Sequence, residues 1–203
     1  MKVKVTEVGD MNASFEIDDI TPALAGELRH IMISEMPTMA IEVVDFARNE
    51  GVLWNEIVAN RLGLIPLTYD KKYHNLKEEC SCKGKGCSKC SVHLVLKKKG
   101  PAVVYSSDLK SSDDKVKPVY DKIPIAELVE NQEMEFEAIA ELGFGKDHAK
   151  WQGAVVGYEE SKGKYSFFVE SVCGLSAKDI VVMSLEILQT KLDDFSSDVG
   201  KLK

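Results

Sequence analysis

Residues 176–195 read SAKDIVVMSLEILQTKLDDF, and this stretch decides what kind of fold the chain adopts. Ser176, followed three residues later by Asp179, is the polar pair that caps a helix N-terminus. Val181, Leu185, Leu188, Leu192 and Phe195 then recur at i, i+4, i+7, i+11 and i+14, so they share one helical face. Ile180, Met183 and Ile187 widen that apolar stripe beyond what one core-facing side needs. Two coverings are open: the chain's own sheet, or a helix of a second chain.

Working outward, Tyr165–Val169 reads as the strand before this helix. At the other end of the chain, residues 2–8 alternate polar and apolar, Phe15 and Ile17 continue the pattern, and Gly9-Asp10 predicts a hairpin turn. Thr21-Pro22 offers an N-cap with proline at the first helical position. Leu24, Leu28, Ile31 and Met32 follow at helical spacing until Pro37, which predicts an amphipathic helix of about four turns. Between these ends lie a strand over 40–47, a short helix over 52–62, short strands over 92–96 and 102–105, and a strand over 133–142 carrying Met134, Phe136, Ala138 and Ala140 on one face. Strand-and-helix segments at both ends flank a middle of short strands, turns and a cysteine-rich loop. An α+β fold with an inserted middle domain explains that layout.

The 203 residues are 44% hydrophobic and 29% charged, the composition of a folded protein and not of a disordered one. Lys+Arg number 26 against Asp+Glu 33, a net charge of −7, which repels phosphate backbones, so direct nucleic-acid binding is not expected. No apolar run approaches the ~20 residues needed to span a bilayer, and the N-terminus alternates instead of forming a signal-peptide block. A soluble, cytoplasmic protein without a membrane role is expected.

Five cysteines are present, and Cys80, Cys82, Cys87 and Cys90 crowd into one short segment while Cys173 stands apart. In a reducing cytosol this argues for metal and against disulfides. The array C-x-C-x4-C-x2-C can close a tetrahedral zinc shell, with Gly84 and Gly86 letting the backbone fold tightly around one ion. Lys83, Lys85 and Lys89 partly offset the −2 charge that four thiolates leave on zinc. Four filled positions make a structural site with no place for water. The alternatives are an iron–sulfur cluster, although the ferredoxin run is absent, and a bare thiol loop. His93 reads as a strand histidine and Cys173 as a buried structural thiol. The segment GFGKDHAKW (143–151) lacks the Walker spacing and reads as a docking loop in preference to a site using Asp147, His148 or Lys150. The Asp pairs 18–19, 113–114 and 193–194 read as solvated turns or a helix end.

Residues 24–42 (LAGELRHIMISEMPTMAIE), 60–67 (NRLGLIPL), the cysteine array, 104–109 (VYSSDL) and 145–151 (GKDHAKW) together resemble, in order, the α-like subunits of RNA polymerase, in their archaeal D branch. The resemblance implies a discontinuous dimerisation domain over 1–42 and 153–203 and an inserted, mostly-β domain over 43–152 bearing the 80–90 loop. It implies a dimer interface made by Leu24, Leu28, Ile31, Met32, Val181, Leu185, Leu188, Leu192 and Phe195, pairing with the small subunit L. A self-pairing homodimer like bacterial α is the alternative. It further implies that Arg29, His30, Glu35, Asn60 and Arg61 lie where the large catalytic subunits are contacted or that contact is supported, and that the isolated chain has no catalytic site. Three features set this sequence apart from many relatives, the first being Arg29-His30 where many carry two arginines, which makes a charged contact there weaker or pH-dependent. Gly153 stands where a proline often follows the HAKW motif, and no ferredoxin-like insertion lies between Trp151 and Phe167, so no iron–sulfur cluster is expected.

Overall fold

The computed structural model describes residues 2–201. Strands Lys2–Val8 (β1) and Asn12–Asp18 (β2) form the expected antiparallel hairpin, closed by Gly9 N donating to Asn12 O at 2.7 Å. Every residue of β1 is exposed, whereas Ala13, Phe15 and Ile17 of β2 are buried on one face. Helix Pro22–His30 (α1) starts as predicted, with Leu24 N donating to Thr21 Oγ1 at 3.2 Å. Its continuation differs from a regular helix of about four turns, because Ile31–Glu35 form a single wider π turn. In that turn Ser34 Oγ donates to His30 O at 2.8 Å, a side-chain intrusion that competes with the helical ladder.

Strand Pro37–Asn49 (β3) is longer than predicted, and helix Asn55–Gly63 (α2) begins three residues late and ends at a glycine. Then come Val92–Lys99 (β4), Ala102–Tyr105 (β5), Lys110–Ser111 (β6), Pro124–Leu128 (β7) and Glu133–Phe144 (β8). One sheet has the order β3-β8-β4-β6, and β5 pairs with β7 apart from it. Thus β4 and β5, although adjacent in sequence, join different sheets. Period-2 burial is clear on β4 and β8, where Leu94, Leu96, Met134, Phe136, Ala138 and Ala140 face one core with Ile41, Val58 and Leu62.

Strands Ala154–Ser161 (β9) and Lys164–Ser171 (β10) return to the first sheet, giving the order β1-β2-β10-β9. Phe15 opposes Phe167 in the β2–β10 register, and their rings stack at 5.0 Å and 8°. Helix Ala177–Gly200 (α3) packs on this sheet through Ala177, Ile180 and Ser184. Its cap is the predicted pair: Asp179 N donates to Ser176 Oγ at 3.0 Å, and the hydroxyl donates to Asp179 Oδ2 at 2.8 Å.

The chain divides into two compact units, Met1–Met36 with Phe144–Lys203 and Pro37–Gly143. These borders differ from the expected 42/43 and 152/153 for a physical reason. β3 is unbroken from Pro37, so residues 37–42 belong to its sheet. The 144–152 segment instead closes on the π turn, with Lys146 N donating to Ser34 O at 2.9 Å. No described helix is long and apolar enough to cross a membrane.

Candidate functional site

The cysteine loop hangs from the 37–143 unit and is shaped by local backbone bonds. Asn75 N donates to Lys89 O at 2.8 Å across its base. Lys83 N and Ser91 N each donate at 2.9 Å, to Cys80 O and Cys87 O, forming two tight knuckles. Lys83, Gly84 and Gly86 have φ of 56°, 76° and 82°, the left-handed region where glycine avoids the strain a side chain incurs. The four sulfurs converge within 4.8 Å of one another. Cys80–Cys87 and Cys82–Cys90 are 3.5 Å apart and Cys87–Cys90 3.9 Å. A tetrahedron with 2.3 Å metal–sulfur bonds has edges of about 3.8 Å, so the spacing fits one four-coordinate ion and is far too long for disulfides. Cys80 and Cys90 are buried. Burial raises the Cys82 thiol, but hydrogen bonds from Cys90, Cys80, Cys87 and Gly86 outweigh it and bring the thiol down to about 6. Burial, reinforced by its sulfur neighbours, pushes Cys90 up to about 12. One member of the cluster therefore ionises readily, as a metal ligand must. These four cysteines can hold a metal ion.

The loop rests on an ordered base. The His74 ring is fully buried, its Nε2 3.3 Å from Asp113 Oδ2, and Tyr73 Oη lies 3.1 Å from Ser88 Oγ. His93 is not drawn to the cysteines. Its Nδ1 pairs with Glu137 Oε1 at 2.5 Å across β4–β8.

On the other unit, α3 turns Ala177, Ile180 and Ser184 inward and leaves several large apolar side chains outward. Leu185, Leu192 and Phe195 are 50%, 59% and 69% exposed, while Val181 and Leu188 are half-buried. Leu24 on α1 is half-buried, but Leu28 of α1 and Ile31 and Met32 of the π turn, expected at an interface between chains, are buried in their own unit's core. The reason is that the inward stripe running from α1 into the π turn is filled by these large apolar side chains. Lys191 Nζ donates to Glu27 Oε1 at 2.6 Å and to Glu35 at 3.0 Å, clipping α3 to α1, and His30 Nε2 lies 3.5 Å from Glu35 Oε1. Arg29 Nε donates to Val156 O at 2.9 Å.

Asn60 and Arg61 are exposed on α2, with Arg61 Nη1 donating to Ile125 O at 2.9 Å. Sequence reasoning missed two apolar surfaces. Val3, Val5 and Val8 of β1 are exposed opposite Ile17, Phe15 and Ala13, and so extend the sheet's apolar face beyond its helical cover. The alternation of residues 2–8 carried that signal. The other surface is Val52, Trp54, Ile57 and Leu64, all exposed around α2. Trp54 before a helix was the signal there. His148 is exposed and accepts from Lys150 N at 3.1 Å, and Cys173 is buried beside Ser171, its thiol pushed up by burial. Neither has the geometry of an activated nucleophile or base.

A family model described as the RNA polymerase Rpb3/RpoA insert domain matches residues 41–157. Three curated proteins called DNA-directed RNA polymerase subunit Rpo3 are similar to this chain. That of Methanosphaera stadtmanae is 42% identical over 165 residues, covering 78% of this chain and 61% of the relative. That of Methanothermobacter thermautotrophicus is 44% identical over 155 residues, covering 75% and 58%. That of Thermoplasma volcanium is 43% identical over 165 residues, covering 75% and 60%. The chain thus spans about three fifths of the length of the curated relatives it matches. With more than half of its residues under the family model and these relatives beside it, the chain belongs to the Rpb3/RpoA family of RNA polymerase subunits, among the archaeal Rpo3 proteins.

Proposed function

We propose that the chain is a non-catalytic assembly subunit of a cytoplasmic DNA-directed RNA polymerase. Its terminal unit is the dimerisation domain and pairs with the small subunit L. That heterodimer is the platform on which the second-largest and largest subunits assemble, and transcription chemistry resides in them. The outward stripe of α3 carries this reading, because Leu185, Leu192 and Phe195 are large apolar side chains left uncovered on a helix whose other face is already packed. The exposed valines of β1 support it, since they add a second uncovered apolar surface to the same unit. Asn60 and Arg61, next to exposed Trp54 and Ile57, are proposed to contact the large subunits from the inserted unit. Arg29, His30 and Glu35 are proposed to support that contact, here already engaged with Val156, Ser34 and Lys191 respectively.

The cysteine site is proposed to hold zinc as a structural ion. A closed set of four thiolates stiffens the loop and leaves no position for a substrate. Native mass spectrometry of the chain mixed with a candidate subunit L tests both parts. A one-to-one complex carrying one zinc is expected. A persistent homodimer that ignores L would replace the hetero-pairing by the self-pairing scaffold, and iron in place of zinc would overturn the metal assignment.

A further inference from the structure

We propose that Lys77, Glu141 and Ser91 are outer partners of the cysteine site, in which Glu141 on β8 anchors the Ser91 hydroxyl beside Cys90 and the Lys77 ammonium neutralises Glu141 so that its charge does not add to that of the thiolates. This rests on the reading of the four cysteines as a metal site. Ser91 Oγ lies 4.0 Å from Cys90 Sγ and 3.2 Å from Glu141 Oε1. The same carboxylate oxygen accepts from Lys77 Nζ at 2.7 Å. Cys90 and Ser91 are buried and the Glu141 side chain is 12% exposed, while the Lys77 side chain is 40% exposed and reaches the carboxylate from the solvent side.

Four thiolates around a divalent ion leave a net −2, which is costly in a poorly hydrated site unless a cation is held near it. Lys83, Lys85 and Lys89 are exposed, and their charges act through solvent. Lys77 is different because a strand carboxylate pins it. The hydrogen bond it donates to Glu141 holds its ammonium above the usual lysine range, against the desolvation that lowers it, with Glu141 and Cys90 charges adding to the effect. Lys77 therefore stays charged and stays in place. It also masks Glu141, whose bare charge would otherwise add to that of the thiolates. Removing Lys77 thus leaves a bare carboxylate near the thiolates, and removing Glu141 as well restores local neutrality.

The test is zinc retention by the whole chain against the chromogenic chelator 4-(2-pyridylazo)resorcinol. Lys77→Met is expected to weaken retention about tenfold, the lower end for loss of an outer metal partner. Lys77→Arg is expected to stay near wild type, and Lys77→Met with Glu141→Gln to recover most of the loss. Retention by Lys77→Met within twofold of wild type would overturn the proposal. So would a double variant no better than the single one, because simple packing gives no rescue. Wild-type chain that takes up no zinc would remove the metal reading and this inference with it, a failure seen before any substitution is made.

Discussion

A methyl group has no room at Gly153: a Cβ there would lie 2.8 Å from Met32 O and 3.0 Å from Met36 Cβ. Gly145 is tighter still, with Ile33 O at 2.6 Å from the same point. Both glycines seat the 144–153 segment on the π turn, so Gly145→Ala and Gly153→Ala should each cost about 1–3 kcal/mol. Gly157→Ala, where nothing lies within 4 Å, should leave the thermal midpoint almost unchanged. Asp108 makes a different kind of prediction. Burial raises its carboxyl, but Lys98 at 2.5 Å and Tyr105 N at 2.8 Å outweigh burial and hold it below the usual carboxylate range. A depressed carboxyl stabilises the fold fully above its unfolded value, and the contribution fades as pH falls through the folded one. Asp108→Asn should therefore cost about 1 kcal/mol at pH 7 and progressively less as pH falls below the usual carboxylate range, read from urea midpoints across that series. The glycine contacts were not legible in sequence, because each depends on which distant backbone atom arrives beside the residue, and the Asp108 pair depends on where β4 carries the Lys98 side chain.

The helices and the buried strands were legible because burial imposes a period on them. The Ser176–Asp179 cap, the alternation of β8 and the Thr21-Pro22 start all stand in the structure as sequence predicts. β7 and β9 were not legible. The first opens on Pro124, and the second, reading AVVGYEES, buries only Ala154 and Val156, so neither shows an extended alternation. The stripes on α3 explain a subtler gap. Hydrophobicity locates the large side chains but does not say which way they face, and here the packed side is Ala177, Ile180 and Ser184. Leu192→Asp should accordingly leave the melting temperature of the free chain within the small range of surface changes, about 0.5 kcal/mol, while abolishing pairing on a sizing column. Leu28→Asp, on the buried stripe of α1, should instead unfold its unit, visible as lost far-ultraviolet ellipticity.

For the whole molecule, two units with separate cores imply separate responses. The cysteine array was the most readable feature of the sequence, since four ligands close in the chain need little tertiary help to meet. Its base, built on His74 and Asp113, was not readable, because those residues are far apart in sequence. Removing metal with a chelator, or substituting Cys87→Ser, should speed amide hydrogen exchange over 75–91 and leave the β2–β10 pairing protected. Exchange rising equally in residues 12–18 would show that the ion supports the entire chain. The β2–β10 register, Ile17 against Tyr165, also fixes an order of events during synthesis. Residues 37–143 are complete on the ribosome while Phe15 and Ile17 still wait for β10, a delay on the order of ten seconds at ordinary elongation rates. During that interval the nascent hairpin shows water an unfinished apolar face, so residues 2–18 are the stretch most in need of a chaperone, made well before the strand that covers them.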